Sequence, residues 1–240
     1  MPGELGVEHI IWDWNGTLFA DSEALIESTI EAFASAGLSP ITRARYQELH
    51  QQPIPAFYDS LVGRRLTDTE QTRLDELFRR AYLARREYIP LTHDAVDAMS
   101  LWRSAGGSQS LLSMYPHEAL VVLVEKFGIA SYFQAVDGLT GTESGRKAPH
   151  LQRHLRKLGV NPANAVLIGD SIDDAYAANE CGVRSLIYHA GNAAVHALAH
   201  FTSLGLPTVA SLDAAVTGVL AGTQHVREAT SQMYRPREGS

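Results

Sequence analysis

Short apolar runs alternate with amphipathic stretches along much of this chain. Val7 to Trp12 is β-prone and ends at Asp13 and a Gly-Thr turn. Ser108 to Met114 carries the apolar pair Leu111-Leu112 after the breaker Gly106-Gly107. Ala165 to Ile168 is fully apolar and runs into Gly169-Asp170, and Ser185 to Tyr188 resembles it. Apolar runs this short, without strict alternation, predict strands of a parallel sheet covered on both faces. Helices are predicted between them. Asp94 to Ala105 has apolar Ala95, Val96, Ala98, Met99, Leu101 and Trp102 and stops at Gly106. Pro149 to Leu158 meets a C-terminal stop at Gly159. Asn161-Pro162 reads as a cap followed by proline in a first turn. The pattern predicts an α/β, doubly wound parallel sheet with a Rossmann-like core.

Residues 21–90 break that alternation with four helical stretches and little strand signal: Ser22 to Ala36, Arg43 to His50, Ala56 to Leu61, and Thr69 to Tyr88. The last is charged on one side and carries Leu74, Leu77, Phe78, Ala81 and Tyr82 on the other, as an amphipathic helix would. The expected organisation is a core from residues 1–20 and 91–222, an inserted α-helical cap domain over 21–90, and a polar, disordered tail over 223–240.

Composition narrows the partners. With 240 residues and 45% hydrophobic content, the chain can bury one substantial core plus a small accessory domain. A net charge of −7 and a pI near 5.8 argue against nucleic acid or an anionic membrane as the main partner. The N-terminus lacks a signal-peptide pattern, and no apolar run approaches the ~20 residues needed to span a bilayer. The lone Cys181 allows neither an internal disulfide nor a cysteine-based zinc cluster, and reads as a small core residue. A cytoplasmic protein is expected; oligomeric state is left open.

Ligands of open parallel sheets collect beyond the carboxyl ends of the strands. Asp13, Ser113 and Asp170 each follow a predicted strand and could meet there. Three segments then carry chemistry in order: Asp13-Trp14-Asn15-Gly16-Thr17, Arg146-Lys147-Ala148-Pro149, and Gly169-Asp170-Ser171-Ile172-Asp173-Asp174. With Ser113 between the first two, they resemble the haloacid dehalogenase superfamily of phosphohydrolases, in the branch that includes phosphoglycolate phosphatase and β-phosphoglucomutase. The likeness spans about residues 7–222, including the cap. It implies that Asp13 is the nucleophile forming an aspartyl-phosphate. Asn15 then stands at the general acid/base position, with its backbone carbonyl as a metal ligand. Gly16 and Thr17 complete the first loop, Thr17 on the substrate side. Ser113 and Lys147 would bind the phosphoryl group, and Asp170 with Asp174 would hold Mg2+ beside Asp13. Spacing favours Asp174 over Asp173 as ligand, with Asp173 a helix N-terminal charge.

The chemistry agrees with that assignment. A phosphate monoester, an aspartate nucleophile and two more carboxylates repel one another, so the site needs a divalent cation and a fixed ammonium. Oxygen ligands of this kind suit magnesium, and Lys147 supplies a point charge that helps keep Asp13 ionised. Asn15 departs from the family pattern, which has aspartate there. An amide neither gives nor takes an acidic proton, a loss of ~10²–10⁴-fold for poor leaving groups. The expectation is a magnesium-dependent phosphohydrolase for a small phosphate ester, slow or selective for acyl and aryl leaving groups. Asn15→Asp should then accelerate alkyl ester hydrolysis if the geometry is otherwise intact. A catalytically silent phosphate-binding or regulatory protein is the alternative. A metal-free haloacid dehalogenase fits less well, given Asp170 and Asp174. In the cap, Arg45, His50 and Gln51 are candidates for substrate contact; His189 and Asn192 lie near the same sheet end.

Overall fold

The computed structural model describes residues 6–141 and 145–233, with side chains to residue 222. β1 (His9–Trp12) lies inside a six-stranded, all-parallel sheet with β2 (Ser108–Pro116), β3 (Val136–Leu139), β4 (Ala165–Gly169), β5 (Arg184–Tyr188) and β6 (Thr208–Val209). The order is β3-β2-β1-β4-β5-β6, so the direction of winding reverses between β1 and β4. Crevices open at such reversals. The register sets Trp12 beside Ile168, and the backbone N–H of Asp13 donates to the Ile168 carbonyl at 2.9 Å. The first and third motifs therefore leave the sheet side by side.

Alternate residues of β1 serve opposite faces. Ile10 and Trp12 pack with Met99 and Trp102 of α5 (Ala95–Ser104), Leu120 and Val124 of α6 (His117–Lys126), and Leu212 and Val216 of α10 (Leu212–Met233). Ile11 packs on the other face with Leu151 and Leu155 of α7 (Ala148–Leu158) and Ala177 and Ala178 of α8 (Ile172–Cys181). The half-buried Cys181 packs against this second cluster. A short helix, α9 (Leu198–Ser203), precedes β6.

The cap comprises α1 (Ser22–Ser35), α2 (Arg43–Leu49), α3 (Ile54–Val62) and α4 (Asp68–Arg86). Thr67 and Glu70 cap the start of α4 reciprocally. The cap has its own core around Ile26, Phe33, Phe57 and Leu74, which Val195 from the other domain joins. Its two connections are paired: Ala20 N–H donates to the Pro90 carbonyl at 3.1 Å, and Thr92 N–H to the Leu18 carbonyl at 2.9 Å.

α10 is anchored through buried Leu212, Ala215 and Val216 and runs to Met233, into the polar tail. The rest of that tail, 234–240, lies outside the described residues. Among the described residues no helix is long and apolar enough to cross a membrane.

Candidate active site

Three loops at the carboxyl end of the sheet deliver the charged groups. Asp13 follows β1, Asp170 follows β4, and Asp174 sits in the first turn of α8; all three are buried. Their carboxylate oxygens lie within 4.8 Å of one another. Lys147, only 2% exposed at the start of α7, donates through Nζ to Asp13 and, at 2.5 Å, to Asp174 Oδ1. Asp174 Oδ2 also accepts from Ser171 N–H at 3.0 Å and from its hydroxyl at 2.6 Å, a capping box that fixes the carboxylate. Asp173 instead accepts from the Lys147 backbone N–H at 3.1 Å, tying α8 to the start of α7.

Two glycines are dictated by this crowding. Gly16 has φ +69°, and a Cβ there would lie 2.0 Å from Asp170 Oδ2. A Cβ on Gly169 would lie 2.4 Å from the Asp174 carboxyl carbon.

The electrostatics are those of too many carboxylates out of water. Burial, with Asp174 nearby, lifts the Asp13 pKa to about 7, although Lys147 pulls it down. Burial and the charges of Asp13, Asp174 and Asp21 raise Asp170 well above the usual carboxylate range. Burial alone would lower the Lys147 pKa; Asp13 and Asp174 outweigh it and hold the ammonium form. A divalent cation among Asp13, Asp170 and Asp174 would relieve this repulsion, and hard oxygen donors fit such an ion.

These groups form the floor of one cavity of about 670 Å³, lined also by Asn15 and Ser113. Ser113 Oγ accepts from Tyr115 N–H at 3.0 Å, which leaves its own proton available to a ligand. Thr17 is not among the lining residues: it is fully buried, and Thr92 donates to its carbonyl from the returning cap connection. Of the cap candidates, His50 reaches the cavity. Arg45 pairs with Glu48 and Gln51 bonds Ser60, and neither lines it. The Asn192 carbonyl accepts from Gln47 at 3.3 Å, a cap contact, and His189 Nε2 lies 3.2 Å from the His196 carbonyl.

Sequence reasoning missed Asp21. This fully buried carboxylate accepts from Asn15 Nδ2 at 2.6 Å, Gly16 N–H at 2.7 Å and the Tyr82 hydroxyl at 2.6 Å. Burial raises its pKa against the pull of those three bonds. Its only sequence signal was a position just before a helix, where aspartate ordinarily caps in solvent.

Comparison with known proteins gives the family and the fold. Residues 7–182 match the haloacid dehalogenase-like hydrolase family, and the chain belongs to it. It is 27% identical over 184 residues to a phosphoglycolate phosphatase of Agrobacterium fabrum, covering 73% of this chain and 78% of that protein. A phosphoglycolate phosphatase of Rhodobacter capsulatus is 24% identical, with 76% and 84% covered. Among solved structures, a haloacid dehalogenase-like hydrolase from Streptococcus pneumoniae has the same fold, with a TM-score of 0.72, 18% identity, and 90% and 97% covered.

Proposed function

We propose that this protein is a magnesium-dependent phosphohydrolase that works through an aspartyl-phosphate on Asp13 and favours esters with good leaving groups. The observation that carries this is Lys147 bridging Asp13 and Asp174 beside Asp170, at the floor of a cavity. Similarity to phosphoglycolate phosphatases supports phosphoryl chemistry.

In this reading Asp13, Asp170, Asp174 and the Asn15 backbone carbonyl would hold Mg2+, which when bound neutralises charge on the phosphoryl oxygens. Lys147 opposes the burial that raises Asp13 and binds the transferring group, and Ser113 donates its hydroxyl proton to a phosphoryl oxygen. An Asp13 oxygen forms the new bond to phosphorus as the ester bond breaks, and water later releases phosphate. Asn15 gives no proton to the leaving oxygen, so that oxygen must depart as a stable anion.

Rates of phosphate release across esters of graded leaving-group pKa, with and without Mg2+, test the proposal. Activity should vanish in Asp13→Asn, need Mg2+, and rise as leaving-group pKa falls. Equal rates on alkyl and aryl esters would contradict the selectivity. Magnesium-dependent ligand binding without turnover on any ester would favour the silent phosphate-binding protein that Asn15 also permits.

A further inference from the structure

We infer that the site takes aryl phosphates, monoesters of a phenolic hydroxyl carried on one or two aromatic rings. This rests on the phosphohydrolase reading and narrows it to a ligand class.

Two independent observations converge. The first is the wall above the charged floor. Half-buried Phe78 and the more deeply set Tyr46, Tyr58 and Tyr82 come from the cap and half-buried Tyr115 from the loop end of β2, all lining the same cavity as Asp13 and Lys147, with Phe57 fully buried behind them. Phe78 and Tyr82, one turn apart on α4, stack with centroids 5.8 Å apart and planes 13° from parallel. Arg86 Nη1 donates to the Tyr115 hydroxyl at 2.7 Å and ties the cap side of this wall to the core side. At ~30 Å³ per water, about 670 Å³ would hold roughly twenty molecules. A two-carbon phosphorylated acid would leave most of that space wet against aromatic surface. A ring system attached to the phosphate would fill it and stack in offset or edge-on geometry.

The second observation concerns bond cleavage. Asn15 cannot protonate a leaving oxygen, and its amide is already committed to Asp21. A phenolic oxygen, with a pKa near ~10, leaves as phenoxide without that help, whereas an alkoxide does not. As Asp13 forms its bond to phosphorus, the ester P–O electron pair goes to the phenoxide, which is protonated by solvent. Water then adds to the aspartyl-phosphate, its proton passes to the departing phosphate, and Asp13 is restored. The size and lining of the cavity and the chemistry of Asn15 select the same leaving group.

The test uses two readouts on the full chain with Mg2+. Calorimetry compares 2-naphthylphosphonate with methylphosphonate, neither of which can be hydrolysed. Phosphate release compares 2-naphthyl phosphate, acetyl phosphate and phosphoglycolate. The naphthyl probe should bind at least about tenfold more tightly, the worth of one or two aromatic contacts. 2-Naphthyl phosphate should have the highest kcat/KM. Phe78→Ala and the more conservative Phe78→Leu should each reduce the naphthyl-over-methyl preference. Equal binding of the two phosphonates, or a higher kcat/KM for acetyl phosphate or phosphoglycolate, would overturn the inference. No turnover of any ester, with the naphthyl preference intact, would uphold the aryl-phosphate pocket and overturn the phosphohydrolase reading alone.

Discussion

Asn15 Nδ2 donates a 2.6 Å hydrogen bond to Oδ2 of Asp21, a carboxylate with no exposed surface. The amide is therefore a matched donor for a buried acceptor, and restoring the usual family aspartate is no longer a simple gain. In Asn15→Asp, two carboxylates would face each other at that distance, and one must take a proton or the pair must part. We expect a loss of about 2 kcal/mol, equivalent to ~4–8 °C in Tm for a domain of this size. The double variant Asn15→Asp/Asp21→Asn reverses the donor and acceptor and should recover most of that loss. It should also hydrolyse alkyl phosphates faster than Asn15→Asp alone. Calorimetric melting and alkyl ester turnover of the three proteins check this; equal Tm for wild type and Asn15→Asp would refute it.

Lys147 stands between Asp13 and Asp174 with almost no solvent contact. Removing the ammonium leaves the surrounding carboxylates to repel each other or bind protons. Lys147→Met should therefore cost about 3–5 kcal/mol in metal-free protein. The cost should be larger at pH 8 than at pH 5, because protonation relieves the repulsion at the lower pH. Added Mg2+ should recover part of it by binding the folded site. Thermal melts at both pH values, with Mg2+ or with chelator, measure each part.

Two imidazoles, His50 half-buried in the cap and His196 buried, join cap to core. His50 Nδ1 lies 3.2 Å from His196 Nε2, and the His50 ring stacks on Tyr46 at 5.2 Å. Burial, then His196, lowers His50 well below its ordinary value. Burial, then His200, lowers His196 to about 4, with His189 adding to this and Asp174 opposing it. A histidine with a depressed folded pKa contributes stability above the unfolded value of ~6.5 and loses it as pH falls toward 4. For His196 the span amounts to about 3 kcal/mol. Stability should fall through that window, and the double variant His50→Gln/His196→Gln should flatten the fall. Superimposable pH curves for the two proteins would exclude these groups as its source.

Motif residues close to strand ends were legible because local chemistry and tertiary position coincide there. Asp13 and Asp170 follow apolar strands, and in a parallel sheet that alone sends them to one edge. Asp21 was not legible, because the group that buries it, Tyr82, arrives from 61 residues away. The edge strands β3 and β6 were missed for a related reason. Val136–Leu139 is mostly half-buried and includes Asp137, and Thr208–Val209 has only two residues, so neither shows an apolar run. The cap helices were readable from their patterns, while their aromatic contribution to the cavity depended on packing. Thr17 is a motif position whose burial takes it off the cavity surface, which its place in the motif does not reveal.

Asp137, His154 and Ser110 form an acid–imidazole–hydroxyl series, with His154 Nδ1 2.6 Å from Asp137 Oδ2 and His154 Nε2 2.7 Å from Ser110 Oγ. Ser110 has no exposed surface, and a second imidazole, His9 Nε2, also lies 2.7 Å from its oxygen. A nucleophile needs access and a free trajectory, and this hydroxyl has neither. Burial, then His154, lowers the His9 pKa to about 4, so His9 is neutral near pH 7. Bonds from His154 and Lys157 hold Asp137 below the usual carboxylate range against its burial, so it accepts. Hydrogen bonds link Ser108, His9, Ser110, His154 and Asp137 in one continuous series, and Ser108 Oγ also donates to the Glu8 carbonyl at 3.1 Å. Ser110→Ala deprives two imidazole nitrogens of their partner inside the sheet. It should lower stability by about 2–3 kcal/mol while leaving kcat within about twofold, because such surface-inaccessible networks act on folding rather than on the rate. A collapse of kcat in folded Ser110→Ala protein would instead place this series in the reaction.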